Sequence, residues 1–388
     1  MDFKYQLIIL GKDNAFEKLV VDTFYKRIQE LGLATEAIIV IKQDDFNKLY
    51  KGNSPVVCLY FGGNKGKDID ILSRLIDDAS IIVPIVEDKA FFTSNIPESL
   101  HPINGFQLGS ELDVEPLVSC ILEGFSLLRL SRRLFISYKR NESRGVAIQL
   151  FEKLEQAGFD VFLDTHSIRP GDEFQEELWH RLVDTDVVVL LNTPQFLESA
   201  WTTQELARAN SMSIGIFQLT WPLNVLPRMA ELCIPLQLKE DNFLNNDFNN
   251  VQSQLNEISI NLIVNNVESL RARSLAARQD NIITEFIAAC KIANKSAVLH
   301  REKFLTITDK NRQEIIIIPT VGVPHAFTYN QSEELIKVIR ASEVKKIFLL
   351  YDHRNIREKW LQHLAWLDNY LPVNTIKITE ADKWLKNN

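Results

Sequence analysis

A chain of 388 residues is too long for one ordinary core and predicts two or three domains. Its 46% hydrophobic and 24% charged residues are normal for a soluble globular protein. A net charge of −8 and a pI near 5.5 argue against a nucleic-acid-binding surface, which needs a basic face.

The first residues, Met1-Asp2-Phe3-Lys4-Tyr5-Gln6, lead straight into a strand-like run, with no basic segment followed by a long apolar one. No window approaches 18 uncharged apolar residues, so neither a signal peptide nor a membrane span is expected, and the expected location is cytoplasmic. Strand candidates follow at Gln6–Leu10, Glu36–Ile41, Pro55–Phe61 and Ser80–Val86. Between the first two, Phe16, Leu19, Val20 and Phe24 recur at helical spacing over Phe16–Leu31, and a last helix is predicted near Glu115–Leu130. Residues 1–130 thus read as a Rossmann-like α/β domain with an open sheet, a sensor or assembly module. Its glycine-rich turn Gly62-Gly63-Asn64-Lys65-Gly66-Lys67 follows a strand and could cradle a phosphate, but it fits no phosphate-loop pattern and also reads as a surface loop.

Residues 131–265 repeat the alternation, with strands at Leu134–Tyr138, Asp160–Leu163, Val187–Leu191 and Ile214–Leu219. The helix after the first strand sets Ala147, Leu150, Phe151 and Leu154 on one face and stops at Gly158. Residues 266–388 begin in a long helical stretch spanning 265–300. A third α/β unit follows, with strands at Glu314–Ile318, Lys346–Tyr351 and Thr375–Ile378 and helices at Gln331–Arg340 and Ile356–Tyr370. This rhythm predicts parallel sheets in all three segments. In the third, His325, Asp352, His353 and Arg354 follow strands and are placed to converge on one crevice, or to be a solvated loop set. The four cysteines, Cys58, Cys120, Cys233 and Cys290, have no paired spacing, which predicts free thiols and no metal site.

Three stretches of the central segment carry more. Phe135-Ile136-Ser137-Tyr138 precedes Arg140; Leu163-Asp164 is followed by His166, Arg169, Gly171 and Asp172; and Trp201 stands four residues before Glu205. In this order and spacing, with Asp186-Val187-Val188-Val189-Leu190-Leu191-Asn192 between, they resemble a bacterial Toll/interleukin-1 receptor (TIR) domain of the NAD-cleaving type. The resemblance covers about a third of the chain. It implies a flavodoxin-like parallel five-stranded sheet flanked here by two α/β units, with NAD+ as substrate and no cofactor. It also implies self-association through TIR domains, an activating signal or effector partner, and a role in bacterial anti-phage defence.

The chemistry follows from the residue types. Nicotinamide is a good leaving group, so cleaving its bond to ribose needs one carboxylate to stabilise the oxocarbenium charge that develops. The resemblance gives Glu205 that catalytic part, with Trp201 on the same helix face and Phe135, Ser137, Arg140 and Asp164 near the substrate. His166, Arg169 and Asp172 fall in a loop that shapes the pocket entrance or contacts the next subunit. Plainer readings stand beside these. Thr202-x-x-Glu205 has the spacing of a capping box, Trp201 suits a core, Asp164 a structural role, and Arg140 or His166 a solvated loop. A non-enzymatic TIR adaptor is therefore the alternative function, and a nucleotide-binding regulator run by the outer domains is the third.

Overall fold

The computed structural model describes residues 5–52, 54–163, 180–196, 212–224, 233–300, 303–339 and 346–388. The chain forms two compact units, Met1–Leu130 and Ser131–Asn388.

The first unit is built on five parallel strands, β1 (Tyr5–Gly11), β2 (Ile38–Lys42), β3 (Val56–Phe61), β4 (Ile81–Val86) and β5 (Phe106–Gln107), in the order β2-β1-β3-β4-β5. β1 and β3 are buried along their whole length, as continuous apolar runs require when helices cover both faces. The winding reverses between them. There Gly11, at φ +91°, lies so close to Phe61 that a Cβ would stand 2.1 Å from its carbonyl oxygen, and its N–H donates to the buried Asp68 carboxylate at 2.8 Å. The glycine-rich turn is not a phosphate cradle. Gly62 donates to the Ile85 carbonyl (2.8 Å) and Gly63 to that of Asn95 (3.0 Å), so these two amides are committed within the fold. The helix expected to reach Leu130 stops at Gly124, where Ser126 turns left-handed (φ +57°) and the Leu127 N–H returns to the Leu122 carbonyl.

The second unit holds two sheets. The central one comprises β6 (Arg133–Ser137), β7 (Asp160–Leu163), β8 (Val187–Asn192), β9 (Gly215–Thr220) and β10 (Cys233–Gln237), all parallel, in the order β10-β9-β8-β6-β7. Numbered from β6, this is the flavodoxin-like order. β10 escaped the sequence reading because Pro235 interrupts its run, and a proline fits an edge strand such as this one. The helix Arg140–Gln156 covers one face and ends as predicted, with Gly158 at φ +84° and the Phe159 N–H returning to the Leu154 carbonyl. Gly145 lets the chain at 251–253 press against that helix: its N–H donates to the Val251 carbonyl at 2.8 Å, and a Cβ would stand 2.5 Å from the Gln252 backbone.

The last sheet comprises β11 (Val298–Leu299), β12 (Leu305–Thr308), β13 (Glu314–Thr320), β14 (Lys346–Tyr351) and β15 (Val373–Lys377), in chain order. It is mixed rather than parallel throughout. β13, β14 and β15 run parallel, whereas β11 and β12 add an antiparallel edge too short to show a period in sequence.

The long helix Glu257–Ile292 serves both sheets. Asn256 caps it, accepting from the Ser259 N–H at 2.9 Å, and its 36 residues span about 54 Å. Its first half joins the core of the central sheet through Ile260, Ile263, Val267 and Leu270. Its second half joins that of the last sheet through Ile282, Ile283, Phe286 and Cys290. Between these apolar stretches lie charges. Arg271 pairs with Asp186, Nε to Oδ2 at 3.0 Å, with neither side chain exposed at all, and Glu268 pairs with Arg132. Arg278 donates to the carbonyls of Thr185 (2.7 Å) and Val183 (2.6 Å). The segment entering β8 is thus tied to the helix by two arginines, Arg271 and Arg278, and the segment entering β6 by Glu268. Among the described residues, no helix is long and apolar enough to cross a membrane.

Arg271→Met should lower the stability of the second unit by about 3–5 kcal/mol in urea denaturation, since Asp186 loses the buried cation it pairs with. Adding Asp186→Leu should recover most of the loss. Burial pushes the Cys290 thiol up to about 11 and that of Cys58 higher still, so both should resist alkylation at pH 8 until the chain is unfolded, as mass spectrometry would show.

Candidate functional site

The two faces of the central sheet differ at their carboxyl ends. Toward the helix Arg140–Gln156 and the long helix, Ile136, Val189, Leu191, Phe217 and Leu219 form a wholly apolar layer. On the opposite face the rows change character along the strands. The row Phe135–Val188–Ile216 is apolar, and Phe135 stacks on Phe162 with ring centroids 5.4 Å apart. One step on, the row is Ser137–Leu190–Gln218, and the last row is Asn192–Thr220. Ser137, Asn192, Gln218 and Thr220 are all buried, as is Thr193 just beyond. Four polar side chains at one end of an otherwise apolar face are costly unless something satisfies them.

Part of that need is met internally. The Asn224 amide donates to the Asn192 carbonyl (3.1 Å) and to its Oδ1 (3.3 Å), and the Trp221 N–H donates to the same carbonyl at 3.0 Å. Among the described residues, the buried hydroxyls of Thr193 and Thr220 have no hydrogen-bond partner. Thr220 ends β9 and Thr193 follows β8, at the same edge of the sheet.

The winding of the central sheet reverses between β6 and β8, the position where open α/β sheets bind ligands. A polar clasp spans it. Lys139, after β6, donates from Nζ to the Gln195 carbonyl (3.0 Å) and its side-chain Oε1 (3.1 Å), while the Gln195 N–H donates to Glu142 at 3.3 Å. Arg140 is exposed in the first turn of the adjoining helix, where backbone amides and dipole favour an anion.

Of the residues singled out from sequence, Phe135, Ser137 and Arg140 are brought to this edge: Phe135 inside the sheet, Ser137 at the floor, and Arg140 at the rim. Asp164, His166, Arg169, Asp172, Trp201 and Glu205 lie outside the described residues. Sequence reasoning passed over Lys139, Glu142, Gln195, Gln218 and Thr220. Gln218 and Thr220 left a usable signal, as polar residues inside the buried run Gly215-Ile216-Phe217-Gln218-Leu219-Thr220. In the last sheet the four strand-end residues do not share one crevice. Arg354 forks onto Asp352, with both contacts at 2.8 Å, and reaches Glu285 at 3.2 Å, whereas His325 lines a different cavity.

Residues 134–252 match the family profile described as the TIR domain. This chain carries a TIR domain. A protein of Brachypodium distachyon, named as a probable 2′ cyclic ADP-D-ribose synthase, BdTIR, is 31% identical over 117 residues, which is 28% of this chain and 52% of that protein. The chain thus spans about half the length of the curated relative it matches. Two crystal structures overlap it at 10% identity. One, of a protein assigned as a two-component system response regulator/GGDEF domain protein, covers 71% of this chain and 99% of its own at a TM-score of 0.32. The other, assigned as a phosphosugar isomerase from Silicibacter pomeroyi, covers 72% and 87% at 0.21. The segment that matches the TIR profile contains the buried polar row and the strands that carry it.

Replacing either buried hydroxyl in the TIR crevice, Thr193→Val or Thr220→Val, should leave the thermal midpoint unchanged or raised, because each removes a buried group without a partner. A large fall in midpoint would show that the hydroxyls are structural.

Proposed function

We propose that the TIR domain cleaves the nicotinamide–ribose bond of NAD+, releasing nicotinamide and ADP-ribose or a cyclic form of it. The observation that carries this reading is the row of buried polar side chains at the switch point of a TIR sheet whose relative is named for making cyclic ADP-ribose. An adaptor that works only by surface pairing has no use for such a row.

In this mechanism the crevice binds the nucleotide, and Arg140 with the helix N-terminus faces the diphosphate. The hydroxyls of Ser137, Thr193 and Thr220 and the Asn192 and Gln218 amides meet ribose hydroxyls and exclude water. Glu205, placed by the sequence resemblance, stands beside the ribose. As the C1′–N bond breaks, its electron pair leaves with nicotinamide, which becomes neutral, and the positive charge moves to the ribose. The carboxylate stabilises that charge without being consumed. Water, or a nucleophile of the same nucleotide, then takes C1′, and its proton is released. Trp201 packs over the reacting sugar, and Phe135 supports Ser137 from below by its stack on Phe162. Asp164, His166, Arg169 and Asp172 shape the entrance and the contact to a neighbouring TIR domain. Activity rises with self-association, which a signal to the flanking units would control. Anti-phage defence, in which NAD+ is consumed, is the setting that the resemblance favours.

Concentrated protein incubated with NAD+ should release nicotinamide, resolved by chromatography. Glu205→Ala should lower the rate by roughly 10²–10³-fold, the scale set by loss of one preorganised electrostatic group. Thr220→Val should raise KM more than it lowers kcat. Release unchanged in Glu205→Ala would sink the site, and no release from assembled protein would favour the adaptor.

A further inference from the structure

The second unit contains a cavity of about 500 Å³ that the TIR chemistry does not use. It opens at the amino ends of β6 and β7, where Arg133 and Asp160 begin those strands. The TIR crevice lies at the opposite ends, roughly 13 Å away along β6 at about 3.3 Å per residue. The far wall comes from the last sheet: Val323 and His325, in the loop after the carboxyl end of β13, and Trp360 on the helix Glu358–Asp368.

Size and lining narrow the occupant. The volume falls in the range of small-molecule sites, about 300–1,000 Å³. One aromatic surface, that of Trp360, is open to the space, whereas Phe162 is already stacked on Phe135. Trp360 stacks on His180, centroids 5.3 Å apart and 19° from parallel, yet keeps 40% of its surface exposed; Phe162 carries the Arg181 guanidinium 5.4 Å above its centroid. Fixed charge in the cavity balances locally around Arg133, which pairs with Asp184 and stands 4.0 Å from Asp160. Asp184 also accepts the Val323 N–H at 3.1 Å, so its carboxylate is engaged in joining the two walls. Arg181, His180 and His325 add a planar fork and two imidazoles, groups suited to phosphate oxygens. A flat ring to stack on, beside a cationic fork, matches a planar base that bears a phosphate.

We propose that this cavity binds a mononucleotide, a phosphorylated nucleoside distinct from the NAD+ substrate. Its base stacks against Trp360 and its phosphate meets Arg181 and His325. The occupant touches both the start of the TIR sheet and the loop after β13, so it binds the folded unit alone and stabilises it by mass action. The site requires no NAD+ cleavage, and failure of that reading leaves it standing.

The test uses the full chain carrying Glu205→Ala, titrated calorimetrically with AMP, GMP, CMP and UMP, and with inorganic phosphate and adenosine as the separate halves. At least one nucleotide should bind, quench tryptophan emission and raise the thermal midpoint, with each half weaker by about ten-fold or more. Arg181→Ala and Trp360→Leu should each weaken that nucleotide by about ten-fold or more, while Trp360→Phe retains most of the affinity. Arg181 is exposed, so its variant keeps the test valid if Trp360→Leu fails to fold. No binding of any of the four at millimolar concentration overturns the proposal. So does binding that survives both cavity variants but is lost in Lys139→Ala, which would place the nucleotide in the TIR crevice instead.

Discussion

Arg271 and Asp186 face each other with no exposed atom on either side chain, and the second unit is arranged around that contact. A carboxylate at the entry to a central strand is a poor choice for a buried site unless a cation reaches it. The long helix supplies one, and the charges on either side follow the same logic. Glu268 takes Arg132, Arg278 holds the carbonyls of Val183 and Thr185, and Asp184 takes Arg133 and the Val323 amide. Pairs of this kind add little net stability over apolar packing, but they tolerate few alternatives. The pairing sets the register of a 36-residue helix against two sheets at once.

The opposite end of the central sheet faces the contrary problem. There the helices on one side are satisfied by apolar contact, whereas the other side ends in buried hydroxyls and amides, and among the described residues the hydroxyls of Thr193 and Thr220 have no partner. The clasp from Lys139 to Gln195 spans the switch point between β6 and β8. Charged pairs hold the amino ends of the strands, whereas the buried hydroxyls of Thr193 and Thr220 stand at the carboxyl ends without a partner among the described residues.

Much of this could be read before any coordinates. Buried runs such as Val187–Leu191 announced parallel strands, and Gly158 marked a helix end because only a residue tolerant of positive φ fits there. The TIR resemblance singled out Ser137 and Arg140, and they lie just inside and just after β6. The elements that were missed share a cause: their meaning depends on partners far along the chain. Arg271 looks like any helix arginine until Asp186, 85 residues earlier, is seen against it, and Lys139 meets Gln195 across 56 residues. Short edges gave no period to detect. β11 has two residues, and β10 is broken by Pro235.

The position of Arg271 also bears on what counts as the domain. The stretch that matches the TIR profile closes at residue 252, five residues before the long helix begins. The counter-charge for Asp186 and the apolar cover supplied by Ile260, Ile263, Val267 and Leu270 all lie beyond it. A fragment trimmed to the matched limits would expose the part of the sheet that the long helix covers and leave Asp186 without its Arg271 partner. The stretch that matches the profile is therefore smaller than the physical unit.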